Sequence, residues 1–158
     1  MTLQAPATLD HAGIALRIPH HGRMCLLDRL QSWSDSHVFC TALSHHDADN
    51  PLRSASGLLA PCAIEYAAQA MALHGALTAP AMSAPMPGYL ASLRDVRLAA
   101  RRLDDRPGAL QVHAERLAGD GNAVSYQFRV CAADGAALVD GRATVVLNAT
   151  ARTSRPAP

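Results

Sequence analysis

A chain of 158 residues, 49% hydrophobic and 17% charged, has the length and composition of one folded domain with its own core, which excludes a disordered polymer. The formal net charge is +1 and no basic face stands out, which argues against nucleic acid as the main ligand. Four scattered cysteines (Cys25, Cys40, Cys62 and Cys131) contain no C-x-x-C pair, so neither a zinc ribbon nor a disulfide scaffold is signalled.

Residues 1–15 are weakly patterned and read as a loose N-terminal segment. They lack a charged stretch followed by an apolar one, so no secretory signal is expected. Pro19-His20-His21-Gly22 reads as a turn, and residues 23–30 pack apolar side chains into one short turn before a strand. Residues 31–34 and 37–43 read as two strands of a hairpin, followed by a polar loop carrying His45, His46, Asp47, Asp49 and Asn50. The spacing then predicts a helix over 60–77. Pro61 suits its first position, and good helix formers follow. Its end is expected at Gly75 or near Pro80, with His74 as a favourable residue close to that end. The helix is apolar nearly all round, as a buried helix is. Glu65, Gln69 and His74 interrupt it, so it falls short of the ~20 apolar residues of a membrane span. A soluble, cytoplasmic protein is the expectation.

Residues 79–87 form a Pro/Met/Ala linker. Beyond it, residues 88–99, 109–117, 123–132 and 137–147 read as strands joined by turns rich in Gly, Asp and Asn. Val124, Tyr126, Phe128 and Val130 alternate with polar residues, the period of a half-buried strand. Residues 150–158 read as a flexible tail, leaving 16–149 as the domain. Successive strands with short turns form an antiparallel sheet, and the 60–77 helix is the element able to cover its apolar face. The fold class is α+β: an antiparallel sheet of about six strands wrapped round one long buried helix. One helix covers such a sheet incompletely and edges remain, so a dimer is expected.

The chain holds two glutamates, Glu65 and Glu115, and Glu65 sits in its most apolar stretch. A carboxylate there needs a partner, a raised pKa or a task. Gln69, four residues on, shares its face. Three segments carry a family resemblance. Pro19-His20 with Met24-Cys25-Leu26-Leu27-Asp28-Arg29-Leu30 is similar to a P-H…M-L-L-x-D-R-V opening, Ile64-Glu65-Tyr66-Ala67-Ala68-Gln69 to an I-E-x-x-A-Q helix start, and Gly88-Tyr89-Leu90 to the strand after that helix. In this order they resemble the hotdog-fold β-hydroxyacyl-carrier-protein dehydratases. The wording I-E-Y-x-A-Q is closest to the divergent dehydratase-like proteins of aryl-polyene-type pathways. One departure stands out. The family's catalytic His, in an H-F-P segment upstream of the Glu, has no counterpart, and Asn50-Pro51-Leu52-Arg53 occupies its place.

The resemblance implies removal of water from a 3-hydroxyacyl thioester, carried by the phosphopantetheine arm of an acyl carrier protein, to give the trans-2-enoyl thioester in fatty-acid or polyene-type biosynthesis. No cofactor and no metal are implied. That reaction needs a base for the α-proton, an acid for the leaving hydroxyl and a donor for the thioester carbonyl. Glu65, with a pKa raised by apolar surroundings, is the expected acid; Gln69 orients it and, with Ala60 and Cys62, is an expected substrate contact. N–H groups at the helix start, from Ala60 to Ala63 and including Cys62, are the expected carbonyl donors. Candidates for the base are His46, His45, His21 and His20; the resemblance makes His20 structural. The other reading of Glu65 is a structural carboxylate paired with an Arg across a dimer interface. Arg94, Arg97, Arg101 and Arg102 form either a solvated edge or a docking patch for an acidic carrier protein. Two further functions stay open: a non-catalytic hotdog subunit paired as a homodimer or heterodimer with an active paralogous dehydratase, and an acyl thioesterase.

Overall fold

The computed structural model describes residues 5–80 and 88–147. Within them the strands are β1 (Leu9–Asp10), β2 (Arg29–Trp33), β3 (His37–Ala42), β4 (Gly88–Leu98), β5 (Leu110–Gly119), β6 (Ala123–Cys131) and β7 (Ala137–Leu147), and the helices are α1 (His11–Ala15) and α2 (Ala63–Thr78). All strands join one antiparallel seven-stranded sheet in the order β1-β2-β3-β5-β6-β7-β4. This is the hotdog arrangement, with one strand more than the sequence led us to expect.

The extra strand lies where a loose segment was expected, and that expectation is corrected for residues 9–15. Leu9 and Asp10 pair with Leu30 and Arg29. The Asp10 carboxylate accepts the Gly13 N–H at 2.9 Å, an N-cap that starts α1, and α1 buries Ile14 completely. A capped turn with an apolar anchor outweighs weak patterning. The tail expected at 150–158 and most of the 79–87 linker fall outside the described residues.

The inner face of the sheet follows the alternation of the strands. Val38, Cys40, Val112, Ala114, Tyr126, Phe128 and Val130 point inward and are buried, and α2 packs chiefly on β3, β5 and β6. Each fully buried Leu or Phe contributes about 1.5–3 kcal/mol. Ala63, Ala67 and Ala70 keep the helix close to the sheet. A 3-10 turn, Ala60–Cys62, leads into α2, and the helix stops at Thr78 just before Pro80. Gly75 does not end it. His74 is not an exposed end residue either. It is fully buried, with Nδ1 2.9 Å from the Tyr126 hydroxyl and Nε2 2.8 Å from the Ser34 carbonyl, so it bolts α2 to β6 and to the β2–β3 turn. Burial holds its pKa below the ordinary imidazole value.

Two features fix the start of α2. Leu103 N–H donates to Leu58 O at 2.8 Å and Ala60 N–H to Arg101 O at 2.9 Å, lacing the approach to the helix onto the segment after β4. Asp104 joins in by gripping Arg102 and Arg53 at 2.6 and 2.9 Å. Gly57 sits against this ion cluster at φ +95°, where a Cβ would lie 2.5 Å from the Arg102 guanidinium. The positive φ favours glycine there, and a side chain would also push on the Arg102–Asp104 pair.

Candidate active site around Glu65

Glu65 lies in the first turn of α2, where a negative charge is favoured by the helix dipole. Gln69, one turn on, is fully buried and makes three hydrogen bonds. Its Nε2 donates to Met24 O at 2.7 Å and to Glu65 Oε1 at 3.0 Å, and its Oε1 accepts the Leu26 N–H at 2.9 Å. It therefore clamps the segment preceding β2 onto the helix. That segment bends through the 3-10 turn Gly22–Met24 and brings His20 to the same carboxylate, with Nε2 3.0 Å from Glu65 Oε1.

The His20 and Glu65 side chains are 25% and 32% exposed, so the pair opens to solvent on one side while Gln69 closes the other. The His20 hydrogen bond holds the Glu65 carboxyl below its ordinary value, with burial opposing and Gln69 assisting. This reverses the expected raised pKa: a partner from outside the helix outweighs the apolar surroundings. His20 Nδ1 is buried and takes no hydrogen bond, leaving Glu65 as the ring's polar partner.

The other expected site residues fall elsewhere. His21 is exposed at the start of the 3-10 turn and its side chain makes no capping bond. His46 is not brought to Glu65. Its Nε2 lies 2.7 Å from Arg106 O, and its ring packs on that of buried His45, with centroids 3.8 Å apart. The turn after β4 holds that loop in place. Ala60 is buried and its N–H is spent on Arg101 O, while the N–H groups of Cys62 and Ala63 bond to Leu59 O and to Ala60 O. The expected carbonyl donors of the helix start are thus engaged within the chain. The Cys62 thiol donates to Leu52 O at 3.7 Å, and burial raises its pKa, away from thiolate character. Gln69, taken as a substrate contact, is instead buried behind Glu65; its orienting role has matching geometry. Among the described residues no cluster of three or more His, Cys, Asp or Glu side chains is placed to hold a metal, and no helix is long and apolar enough to cross a membrane.

Behind the site, Tyr66 continues the clamp. Asn50 Nδ2 donates to the Tyr66 hydroxyl at 3.1 Å, the Tyr66 hydroxyl lies 2.8 Å from Ser44 Oγ, and Ser44 donates to Leu26 O at 2.8 Å. Both backbone polar groups of Leu26 are thereby held by side chains. Sequence reasoning named His20 among the candidate bases but, on the resemblance, read it as structural. Its signal was present in Pro19-His20-His21, but nothing local shows that this turn lands on the helix.

Comparison with known proteins agrees with this architecture. Residues 13–154 match the ApeP-like family, described as ApeP dehydratase. Among solved structures, the chain is similar to one in the dehydratase heterocomplex ApeI:P from Xenorhabdus doucetiae, at 26% identity and a TM-score of 0.77, covering 87% of this chain and 92% of that one. A thioesterase from Staphylococcus aureus aligns at 13% identity and a TM-score of 0.58, covering 75% of this chain and 90% of that one. A thioesterase from Haemophilus influenzae aligns at 12% and 0.57, covering 75% and 76%. These two share the fold. A search of curated proteins returned no match.

Proposed function

The chain belongs to the ApeP-like dehydratase family, and from that premise we propose that it dehydrates 3-hydroxyacyl thioesters borne on an acyl carrier protein, using Glu65 and His20 as its proton-transfer pair. The observation that carries this reading is the 3.0 Å contact between His20 Nε2 and the Glu65 carboxylate, which opens to solvent and is backed by buried Gln69. A carboxylate kept ionised is a base rather than an acid, so the roles inferred from sequence invert. Glu65 takes the α-proton and His20, as imidazolium, gives its proton to the leaving β-hydroxyl. The C–H and C–O bonds break, the C=C bond forms, and water departs. The hydrogen bond between the two side chains then returns the proton from Glu65 to His20, restoring the starting state.

The carbonyl donor comes from outside the helix start, because the N–H groups of Ala60, Cys62 and Ala63 are already engaged. This supports a site completed by a second hotdog chain. The similar structure belongs to a dehydratase heterocomplex, and by analogy the partner here is a paralogous dehydratase, with a second copy of this chain as the alternative. The same observation favours a second reading, in which this chain shapes the site of an active partner without reacting itself.

The test is dehydration of a 3-hydroxyacyl carrier protein by the chain alone and with its partner, for wild type, Glu65→Gln and His20→Asn. Loss of a positioned acid or base lowers the rate by about 10²–10⁴-fold. Each substitution in this chain should do so while its partner is intact. Undiminished turnover in both variants would leave the chain a non-catalytic subunit.

A further inference from the structure

At its β6-β7-β4 end the outer face of the sheet, opposite α2, carries four arginines that the reaction above does not use. Arg94 on β4 lies directly opposite Arg142 on β7, and Arg142 opposite Gln127 on β6. In the next row Arg97 lies opposite Asp140, and Asp140 opposite Arg129. Arg94 and Arg97 are three residues apart, and in a regular strand they would face opposite ways. They face the same way because β4 is bulged between them, with Asp95 at φ +52°. An extra residue in a left-handed conformation re-aims the strand, at a cost in backbone strain. The row it completes sets Arg94 against Arg142, and like charges directly opposite each other destabilise a sheet. All four arginines are exposed, and none takes part in an ion pair among the described residues. In a chain of formal net charge +1 this is a local concentration of charge, with half-buried Asp140 inside it and exposed Asp95 and Glu115 at its margins, Asp95 in the β4 bulge and Glu115 opposite Gln127 on β5.

We propose that the face formed by Arg94, Arg97, Arg129 and Arg142 docks an acidic helix of the carrier protein that presents the thioester. The proposal rests on the reading that the substrate arrives on such a carrier. Spacing favours a helix as the occupant. Facing residues on neighbouring strands sit about 5 Å apart and alternate residues along a strand about 7 Å, close to the ~5–6 Å between i and i+3 or i+4 side chains on a helix. Asp140 in the middle disfavours a continuous phosphate chain and is tolerated by separate carboxylates. The patch also continues toward the site. From Arg97 the strand runs on to exposed Arg101, whose carbonyl holds the first residue of the turn into α2.

The experiment measures binding of fluorescent holo carrier protein to the full chain with its partner, by anisotropy at low and high salt. It compares wild type, Arg94→Glu/Arg142→Glu and the milder Arg94→Gln/Arg142→Gln. Turnover of a short pantetheine thioester, which needs no docking, is followed in parallel. At low salt the Glu pair should weaken carrier binding more than tenfold and the Gln pair by a lesser factor. The difference should shrink at high salt, and pantetheine thioester turnover should stay within twofold of wild type. Unchanged carrier binding in both variants overturns the proposal even if the carrier-borne substrate is turned over. Arginine-dependent binding with no turnover of either thioester upholds the docking face and removes the dehydratase reading. If duplex DNA or anionic vesicles bind through these arginines and the carrier does not, the assigned partner is wrong.

Discussion

A carboxylate that accepts hydrogen bonds from an imidazole and an amide stays ionised further into acid than a free one. For Glu65 the folded-state pKa lies below the ordinary 4.5, so the stabilisation it provides is present above that value and is lost as pH falls through the lower folded value. His20→Gln should raise the Glu65 pKa back toward or above 4.5. The chain has two glutamates, so selective carboxyl ¹³C labelling yields two titration curves, and Glu115→Gln assigns them. A Glu65 curve that does not move in His20→Gln would show that the imidazole is not what holds the carboxylate. Glu65 and Gln69 were legible in the sequence because two polar residues four apart on an apolar helix share one face. The sign of the pKa shift was not legible. It depends on His20, brought in from a segment before β2, and no periodicity records which turn docks on which helix.

At the level of elements, the segment before β2 is fastened to α2 by side chains rather than by a sheet ladder. Gln69→Leu keeps the volume and the helix propensity but leaves the buried Leu26 N–H and the half-buried Met24 C=O without their partner. Each buried group left unpaired costs about 1–3 kcal/mol, so the variant should lose about 2–4 kcal/mol, a fall of about 5–15 °C in Tm for a domain of this size. Thermal unfolding by circular dichroism measures it. A Tm within 2 °C of wild type would mean that water or a backbone shift satisfies those groups. The element map itself was readable, because α2 is a run of good helix formers behind Pro61, β6 alternates with the period of a strand, and turns rich in Gly, Asp and Asn separate β5, β6 and β7. The donors of the helix start were misjudged for a long-range reason. Pro61 and the small residues after it signal a helix start, but only the folded chain shows the Arg101 carbonyl already bonded to Ala60. The Asp10 cap of α1 was a local signal, present in the sequence and overlooked.

Across the whole molecule, the sheet ends in two unlike edges. β1 is two residues long, whereas β4 runs for eleven with no strand on its far side among the described residues. A long open edge invites pairing unless charge or a covering element blocks it. The apolar side chains agree: Leu90, Leu93 and Leu98, on the inner face, are 41%, 38% and 51% exposed, and α2 packs chiefly on strands away from them. Pairing of β4 with a second hotdog chain would cover that strip and keep the outer arginine face open, since side chains leave a strand perpendicular to the direction of pairing. Leu90→Glu/Leu93→Glu should therefore separate the chains with little effect on the fold, because both side chains already face water in the single chain. Light scattering after size exclusion should move from a two-chain mass to the 16.6 kDa of one chain, and thermal unfolding measured at a concentration where both proteins are monomeric should be nearly unchanged. The two-chain mass of the wild type also identifies the partner, being twice that value for a second copy and the sum of two different chains for a paralogue. If the doubly charged variant keeps the two-chain mass, the contact is not made along β4, and a site completed across that edge would have to be abandoned with it.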